Sequence, residues 1–187
     1  MIIFFDTETT GITNKYWSIN DPRQPHIVQL AALQHDEERN VIAQINFIVR
    51  PDGYEIPASS AAIHGISHEK AMRYGVPLTV ALGSFNNMLK TADLVVAHNW
   101  GFDSTVCNIE YGRLDRPNHL KKMEHFCTML ESVDHCKLKH PRNGKLKWPK
   151  LQEAYKHFFH REFEGAHNAM HDVNACSEVY YKLKEAV

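Results

Sequence analysis

The chain has 187 residues, of which 43% are hydrophobic and 23% are charged, and this composition is typical of a globular protein with one domain of ordinary size. No apolar run approaches the roughly 20 residues that a membrane-spanning helix needs, and no basic, apolar leader opens the chain, so we expect a cytoplasmic protein without a membrane partner. The formal net charge of -1 neither favours nor excludes a nucleic-acid partner.

The first predicted element is a short strand buried on both faces, because four apolar residues, Ile2–Phe5, follow one another. Asp6 and Glu8 come next, and in an extended chain they point to the same side. Two carboxylates held in this way repel each other unless a cation lies between them, and hard divalent ions prefer oxygen ligands. The stretch through Gly11 therefore indicates a metal-binding strand end, with a pair of solvated turn acids as the alternative.

A loop and a β-hairpin are predicted next. The segment Ile12–His26 has no hydrophobic period, and its aromatic residues Tyr16 and Trp17 either stack on a nucleobase or pack into the core. Ile27–His35 and Val41–Arg50 are β-rich runs on either side of a polar turn, so they predict a hairpin that continues from the first strand.

Three helices are predicted after the hairpin. The first begins near Ala58 and ends at Gly65, a second is capped by Ser67 and runs to Tyr74, and a third begins at Pro77. The predicted apolar face of the third helix consists of Val80, Leu82, Phe85, Met88 and Leu89.

A second chemically informative junction follows at the middle of the chain. Asp93–His98 has the composition of a central strand, and a helix is predicted to follow it through Tyr111. This order places Asp103 near the carboxyl end of a strand, where open α/β sheets bind their ligands. The alternative is an ordinary acid in the first turn of a helix, where the helix dipole favours it.

The last third of the chain contains a basic segment between predicted helices. Phe126–Cys136 predicts a short strand that leads into a helix, and further helices are predicted over Leu151–Phe159 and Met170–Ala186. Between them, the segment Lys137–Lys150 contains Trp148 and no acid. Its six cationic residues are Lys137, Lys139, Arg142, Lys145, Lys147 and Lys150. Such a segment suits a nucleic-acid backbone, although a solvated basic loop is the alternative.

Histidine and cysteine residues offer weaker signals. His167 and Asp172 are five residues apart, so they can meet at one site only if His167 precedes the helix that carries Asp172. The spacing of His167 and His171 permits a zinc site, but the H-E-x-x-H context is missing. The four scattered cysteines form no C-x-x-C pair, and we expect reduced, mostly buried thiols.

The chain thus offers four carboxylates and one histidine at three strand ends or helix starts. Four acids that converge on one pocket require about two divalent cations, which lie roughly 3.5 to 4 Å apart in sites of phosphoryl chemistry. A neutral histidine beside the attacking water is suited to act as the general base.

Three motifs, in this order, resemble those of the DnaQ-like, DEDDh-type 3′–5′ exonucleases. They are D-T-E-T-T-G at Asp6–Gly11, H-N-W-G-F-D at His98–Asp103 and H-N-A-M-H-D-V-N-A at His167–Ala175. The I-H-G-I-S segment at Ile63–Ser67 also resembles a family element near the 3′ end of the substrate. The resemblance extends over nearly the whole chain, although the loop Ile12–His26 is longer than the motif requires.

This resemblance implies an α/β, RNase H-like fold, in which a mixed five-stranded sheet with three antiparallel first strands is flanked by helices on both faces. It implies a single exonuclease domain over residues 1–187. It further implies that Asp6, Glu8, Asp103 and Asp172 bind two Mg²⁺ or Mn²⁺ ions, with Asp6 bridging them, and that His167 is the general base. The implied substrate contacts are Thr9, Thr10, Gly11, His64, Asn99 and Phe102.

The expected function is the removal of nucleoside 5′-monophosphates from the 3′ end of DNA, either single-stranded or frayed. One alternative is an exoribonuclease that acts on short RNA. Another is a non-catalytic module that binds nucleic acid or a polymerase. A monomer, a homodimer and a polymerase-associated protein are all compatible with the sequence.

Overall fold

A computed structural model describes residues 1–185 and contains one mixed sheet of five strands. The strands are β1 (Ile2–Thr9), β2 (Ile27–His35), β3 (Val41–Ile48), β4 (Leu94–Ala97) and β5 (Glu124–Cys127). Their order in the sheet is β3-β2-β1-β4-β5; β1 pairs antiparallel with β2 and β2 with β3, whereas β4 is parallel to both β1 and β5. The predicted fold is confirmed.

Eight helices accompany the sheet in the described part of the chain. They are α1 (Ala58–His64), α2 (His68–Tyr74), α3 (Leu78–Leu89), α4 (Trp100–Arg113), α5 (Thr128–Glu131), α6 (Val133–Cys136), α7 (Leu151–Phe159) and α8 (Ala169–Glu185). A short 3-10 helix covers His119–Lys122. None of the helices within residues 1–185 is both long enough and apolar enough to cross a bilayer.

The sheet is covered on both sides because side chains alternate along β1. Ile3 and Phe5 belong to the core beneath α3 and α4, whereas Phe4 belongs to the core beneath α8. Every residue of β2 is buried, as expected for a strand between two layers of helices. This alternation also decides which helix each polar side chain near the end of β1 can reach.

The strand β1 is longer than its apolar run predicts, and the acids lie within it. Its pairing with β4 ends where Phe4 lies opposite Val96, but its pairing with β2 continues to Thr9. Asp6 and Glu8 therefore have a neighbouring strand on one side and an open edge on the other. The acids therefore lie where the pairing of β1 with β4 ends and not at the end of β1 itself, and a crevice opens there beside them.

The helical predictions for the region after the hairpin are confirmed with one correction. Gly65 ends α1 with a φ of 72°, and the Ser67 side chain accepts a hydrogen bond from the Lys70 backbone N–H at the start of α2. In α3, however, Val80 is 46% exposed, so its assignment to the apolar face was wrong. The neighbouring Ala81 is buried instead, because the small side chain lets the helix approach the sheet.

Other element boundaries differ moderately from the predictions. The strand β5 begins at Glu124, before the predicted Phe126, and two one-turn helices follow it in place of one helix. The helix α4 continues to Arg113, past the predicted Tyr111. The predicted end of the last helix, Ala186, lies outside the described residues.

The loop Ile12–His26 is irregular, as predicted, and is organised by a buried glutamine. The Gln24 side chain accepts from the Asn14 backbone N–H at 3.0 Å and donates to the Asn14 carbonyl at 2.9 Å. Tyr16 is 84% exposed, so it does not pack into the core, and Trp17 is half-buried with the Arg23 guanidinium 4.4 Å from its ring. The four cysteines are free thiols, and three of them are buried.

Candidate active site

The first two acids of the site leave one face of β1. Because Phe4, Asp6 and Glu8 alternate with their neighbours, both carboxylates lie on the face that Phe4 uses to pack against Val173 and Tyr180 of α8. The helix α8 therefore lies above the acids and can contribute its own polar side chains to the same space.

The start of α8 provides the third acid and the histidine. Asp172 lies in the first turn, and His167 precedes the helix with a φ of 67°, as the spacing of the two residues requires. The His167 backbone N–H donates to Asp172 Oδ2 at 3.0 Å. One ligand atom each from Glu8, His167 and Asp172 lies within 4.8 Å of the other two. Residues from opposite ends of the chain are thus brought into one group.

The fourth acid, Asp103, comes from the first turn of α4 and is 2% exposed. Its Oδ1 atom accepts two hydrogen bonds from Thr7, one from the backbone N–H at 3.1 Å and one from the hydroxyl at 2.7 Å. Thr7 lies on the face of β1 opposite to Asp6 and Glu8, and so it faces α4. The middle residue of the D-T-E motif therefore holds the acid of the second motif in place.

Burial raises the pKa values of the four acids, and repulsion between carboxylates adds to the rise at Asp6, Glu8 and Asp103. The Asp6 pKa is raised well above its ordinary range, first by burial and then by the charges of Asp103, Asp172 and Glu8. Burial, with repulsion from Asp172 and Asp103, raises the pKa of Glu8 to about 8. Four carboxylates that repel one another in a partly dry site fit the binding of divalent cations, which would offset both the burial and the repulsion.

Hydrogen bonds oppose this effect at two of the acids. Burial raises the pKa of Asp103 to about 7, although the two bonds from Thr7 favour its charged form. Burial also raises the pKa of Asp172 to about 6, and the bond from the His167 backbone N–H opposes the rise. These two donors keep a negative charge available at the point where a cation would bind.

The acids open into a cavity of about 620 Å³. Seven of the predicted site residues line it: Asp6, Glu8, Asn99, Phe102, Asp103, His167 and Asp172. Asn99 has a φ of 75°, a left-handed conformation that asparagine tolerates, and it forms the junction between β4 and α4. The structure therefore brings the five predicted catalytic side chains together with two of the six predicted substrate contacts.

The remaining predicted contacts lie beside the cavity. The Thr9 hydroxyl donates to the Gly11 carbonyl at 2.6 Å. The Thr10 hydroxyl accepts from the His26 backbone N–H at 2.9 Å, and the Thr10 backbone N–H donates to the His26 carbonyl at 2.9 Å. These bonds close the base of the long loop. Contacts of Thr9, Thr10 and Gly11 with a substrate stay predictions.

His64 is also outside the cavity lining and is 7% exposed. Its Nδ1 atom accepts a hydrogen bond from the Ile66 backbone N–H at 3.1 Å, and burial lowers its pKa. A role for His64 at the substrate stays a prediction.

The alternative zinc site at His167 and His171 gains no support. The His171 Nδ1 atom lies 2.9 Å from the Glu164 carbonyl, and its ring is packed against Gly165, where a Cβ atom would lie 2.2 Å from that nitrogen. Among the described residues, the possible metal ligands group His167 with Glu8 and Asp172 and leave His171 out.

One wall of the cavity is the end of the basic segment Lys137–Lys150, which we call the basic hairpin because its two arms pair. The His140 backbone N–H donates to the Lys145 carbonyl at 2.7 Å, and the Lys147 backbone N–H donates to the Leu138 carbonyl at 2.9 Å. The last three residues of the hairpin, Trp148, Pro149 and Lys150, line the cavity.

His98 joins this wall to the sheet. Its Nε2 atom donates to the Pro149 carbonyl at 3.0 Å, so its Nδ1 atom accepts from the Thr128 hydroxyl at 2.9 Å. Burial lowers the pKa of His98 to about 4, which keeps the ring neutral and its tautomer fixed. The residue at the start of the second motif is therefore a structural link.

Some residues of the site have weak signals in the sequence. Thr7 lies between the two acids of the D-T-E motif, and nothing in the sequence distinguishes it as a supporting residue. Its partner Asp103 is 96 residues away in the chain. Met129 of α5 and Phe163, in the segment between α7 and α8, also line the cavity, but they resemble ordinary core residues in the sequence. The basic composition around Trp148 was the one signal that pointed to this wall.

A mixed five-stranded sheet gathers four acids and a histidine beside its first strand, which is the arrangement that the resemblance to RNase H-like exonucleases predicts. The chain belongs to the exonuclease family, whose model matches residues 3–180. The prediction of a DnaQ-like exonuclease is thereby confirmed.

Individual relatives agree with this assignment. The chain is 35% identical to a DNA polymerase III subunit epsilon-like protein of Rhodobacter capsulatus over 102 residues, which are 54% of this chain and 13% of that protein. It is 31% identical to the PolC-type DNA polymerase III of Streptococcus sanguinis over 115 residues, which are 62% of this chain and 7% of that protein. The chain therefore spans a small fraction of these curated relatives.

Solved structures of Escherichia coli exonuclease I share the fold. The complex with a dA16 oligonucleotide matches with a TM-score of 0.75 at 20% identity, over 99% of this chain and 40% of that chain. A zinc-bound complex with single-stranded DNA matches with a TM-score of 0.76 at 22% identity, over the same shares of the two chains. The similarity supports the architecture derived above.

Proposed function

We propose that this chain is a metal-dependent 3′–5′ exonuclease that removes nucleoside 5′-monophosphates from single-stranded DNA or from frayed duplex ends. The observation that carries the proposal is the convergence of Asp6, Glu8, Asp103, Asp172 and His167 in one open cavity. Membership of the exonuclease family supports it, as do the complexes of exonuclease I with single-stranded DNA. The proposal treats residues 1–187 as one exonuclease domain.

The four acids would hold two divalent cations, Mg²⁺ or Mn²⁺. When bound, such cations stabilise charge on the attacking and leaving oxygens of a phosphodiester. The protein contributes the arrangement of the carboxylates, which Thr7 and the backbone of His167 orient through hydrogen bonds. Supporting residues of this kind hold ligands in a productive geometry before the substrate arrives.

His167 would accept the proton of the attacking water. A neutral imidazole has one acceptor nitrogen, and the exposed position of this ring beside Glu8 and Asp172 gives water direct access to it. The His167 backbone also donates to Asp172, so a hydrogen bond ties the base to a residue that would hold a cation.

Association with a polymerase is a second arrangement, which the names of the epsilon-like and PolC-type relatives favour. In that case the same site would remove nucleotides from the end of a growing strand. Short RNA is the alternative substrate, since discrimination depends on contacts with the 2′-hydroxyl group. A cytoplasmic location and a monomeric or dimeric state stay predictions.

The test uses single-stranded DNA and RNA of equal sequence, labelled at either end and incubated with Mg²⁺, Mn²⁺ or EDTA. We expect a metal-dependent ladder from the 3′ end with 5′-monophosphate products and faster cleavage of DNA. Asp6→Ala should abolish cleavage without unfolding the protein, and His167→Ala should lose on the order of 10²- to 10⁴-fold in rate. His157→Ala, which removes an exposed histidine of α7, is the matched control.

Internal cleavage, or a ladder from the 5′ end, would contradict the proposed polarity. A folded protein that cleaves neither nucleic acid would instead be a non-catalytic binding module. Faster cleavage of RNA would replace DNA by RNA as the substrate.

A further inference from the structure

A large aromatic side chain at the cavity wall is left in contact with solvent. Trp148 is 67% exposed, yet it lines the same cavity as the four acids. An indole ring that remains exposed beside a binding cavity offers a flat apolar surface for a ligand to cover. Every nucleobase has a π-face that can stack on such a ring.

The backbone on both sides of Trp148 is anchored. Its neighbour Pro149 is buried and accepts the hydrogen bond from His98. Its other neighbour, Lys147, donates its backbone N–H to Leu138, and its Nζ atom lies 2.5 Å from Glu153 Oε1. The ring is thus carried by a fixed piece of chain, and little conformational freedom remains to be lost when a base stacks on it.

The charge around this ring suits the backbone of the same strand. Lys147 pairs with Glu153, but the other five cationic side chains of the basic hairpin are exposed and have no carboxylate partner within residues 1–185. These five are Lys137, Lys139, Arg142, Lys145 and Lys150. Unpaired cations interleaved with an exposed aromatic ring are the combination that binds single-stranded nucleic acid.

We propose that Trp148 stacks on a base upstream of the 3′-terminal nucleotide and that the cations of the basic hairpin contact the phosphates of that stretch. This inference rests on the proposed exonuclease function. It assigns the hairpin to substrate binding upstream of the bond that is cleaved, and it gives the enzyme a preference for strands long enough to reach the hairpin.

The first test separates binding from chemistry by using two substrates. One is a single-stranded DNA of about 12 nucleotides, and the other is the p-nitrophenyl ester of thymidine 5′-monophosphate, which has no upstream base. For Trp148→Ala we expect the KM for the oligonucleotide to rise by about 5- to 150-fold, the usual contribution of one stacked base, with kcat nearly unchanged. The rise in the KM for the ester should be much smaller, and Trp148→Phe should restore most of the affinity for the oligonucleotide.

Tyr74→Ala is the matched control, because Tyr74 is 64% exposed but lies on α2, away from the cavity lining. This variant should leave KM and kcat unchanged for both substrates. If Trp148→Ala raises the KM for the ester as much as the KM for the oligonucleotide, the stacking proposal is overturned. An unchanged KM for the oligonucleotide would overturn it too. Failure of the proposed function has a different signature, since the unmodified protein would then hydrolyse neither substrate.

The second test addresses the phosphates. Replacing Lys139, Arg142 and Lys145 by Gln should reduce the slope of log kcat/KM against log salt concentration by about 2, since each contact with a single strand contributes roughly 0.7. A control that replaces Lys90, Lys121 and Lys122 by Gln removes the same charge outside the hairpin. Equal slopes in the two variants would show that the effect is one of net charge, which contradicts a binding role for the hairpin.

Discussion

The hydrogen bond from the Thr7 hydroxyl to Asp103 offers a sharp test of how the site is organised. Thr7→Val keeps the shape and the backbone N–H of residue 7 but removes the O–H donor, which lies 2.7 Å from Asp103 Oδ1. The carboxylate is 2% exposed, so water does not replace the donor. A hydrogen bond to a charged group contributes about 1.5–3 kcal/mol, which corresponds to about 10- to 150-fold in the affinity of the charged carboxylate for a cation.

The expected result is a higher demand for metal. Burial already raises the Asp103 pKa to about 7, and loss of the hydroxyl raises it further, so protons compete more strongly with the cation. We expect the Mg²⁺ concentration for half-maximal exonuclease activity at pH 7 to rise by about 10- to 150-fold, with recovery at saturating Mg²⁺ or at higher pH. Thr7→Ser should behave like the original protein, and Thr105→Val, which removes a hydroxyl bonded to the Gly101 carbonyl, is the control. An unchanged Mg²⁺ requirement in Thr7→Val would refute this reasoning.

Three further predictions concern stability. Glu110→Ala should lower the free energy of unfolding by about 3–5 kcal/mol in urea titrations, because Glu110 is 1% exposed and its loss leaves two donors without their carboxylate. These donors are the buried Ile27 backbone N–H and the Arg113 guanidinium, which is 19% exposed. A loss below about 1 kcal/mol would contradict this prediction. The metal-free protein should become more stable as the pH falls from about 8 towards 4.5. In this range the folded state, in which the Glu8 pKa is about 8, binds a proton that the unfolded chain releases. Thermal melting with and without Mg²⁺ checks this, and a melting temperature that rises with pH would exclude it. Gly165→Ala should lower the melting temperature, because residue 165 has a φ of 77° and a Cβ atom would meet the His171 ring at 2.2 Å; an unchanged melting temperature would show that the loop adapts at no cost.

The sequence predicts the parts of this fold that depend on local patterns. The apolar run before Asp6 identifies β1, and the glycine and serine near residues 65 and 67 set the limits of two helices. Val80 shows where such patterns fail, because the buried face of α3 includes Ala81 in its place, and the small side chain of alanine carries little hydrophobic signal. Boundaries near β5 also differ, since they depend on pairing with β4.

The candidate site divides in the same way. The acids and His167 were predicted because their motifs have a fixed order, and the structure places all five in one cavity. The supporting contacts were not predicted: Thr7 reaches Asp103 across 96 residues and orients it, and His98 reaches Pro149 across 51 and joins the cavity wall to the sheet. A single sequence does not predict such hydrogen bonds, because many polar residues could form them and the tertiary fold determines which two residues meet.

The division of the site between β1 and α8 has a consequence for protein synthesis. A ribosome releases Asp6 and Glu8 first, while His167 and Asp172 follow some 160 residues later. Until α8 emerges and packs Tyr180 against Phe4, the strand has neither its covering layer nor the last two members of the site. A nascent chain is therefore unable to assemble the complete group of acids and His167 until α8 has emerged.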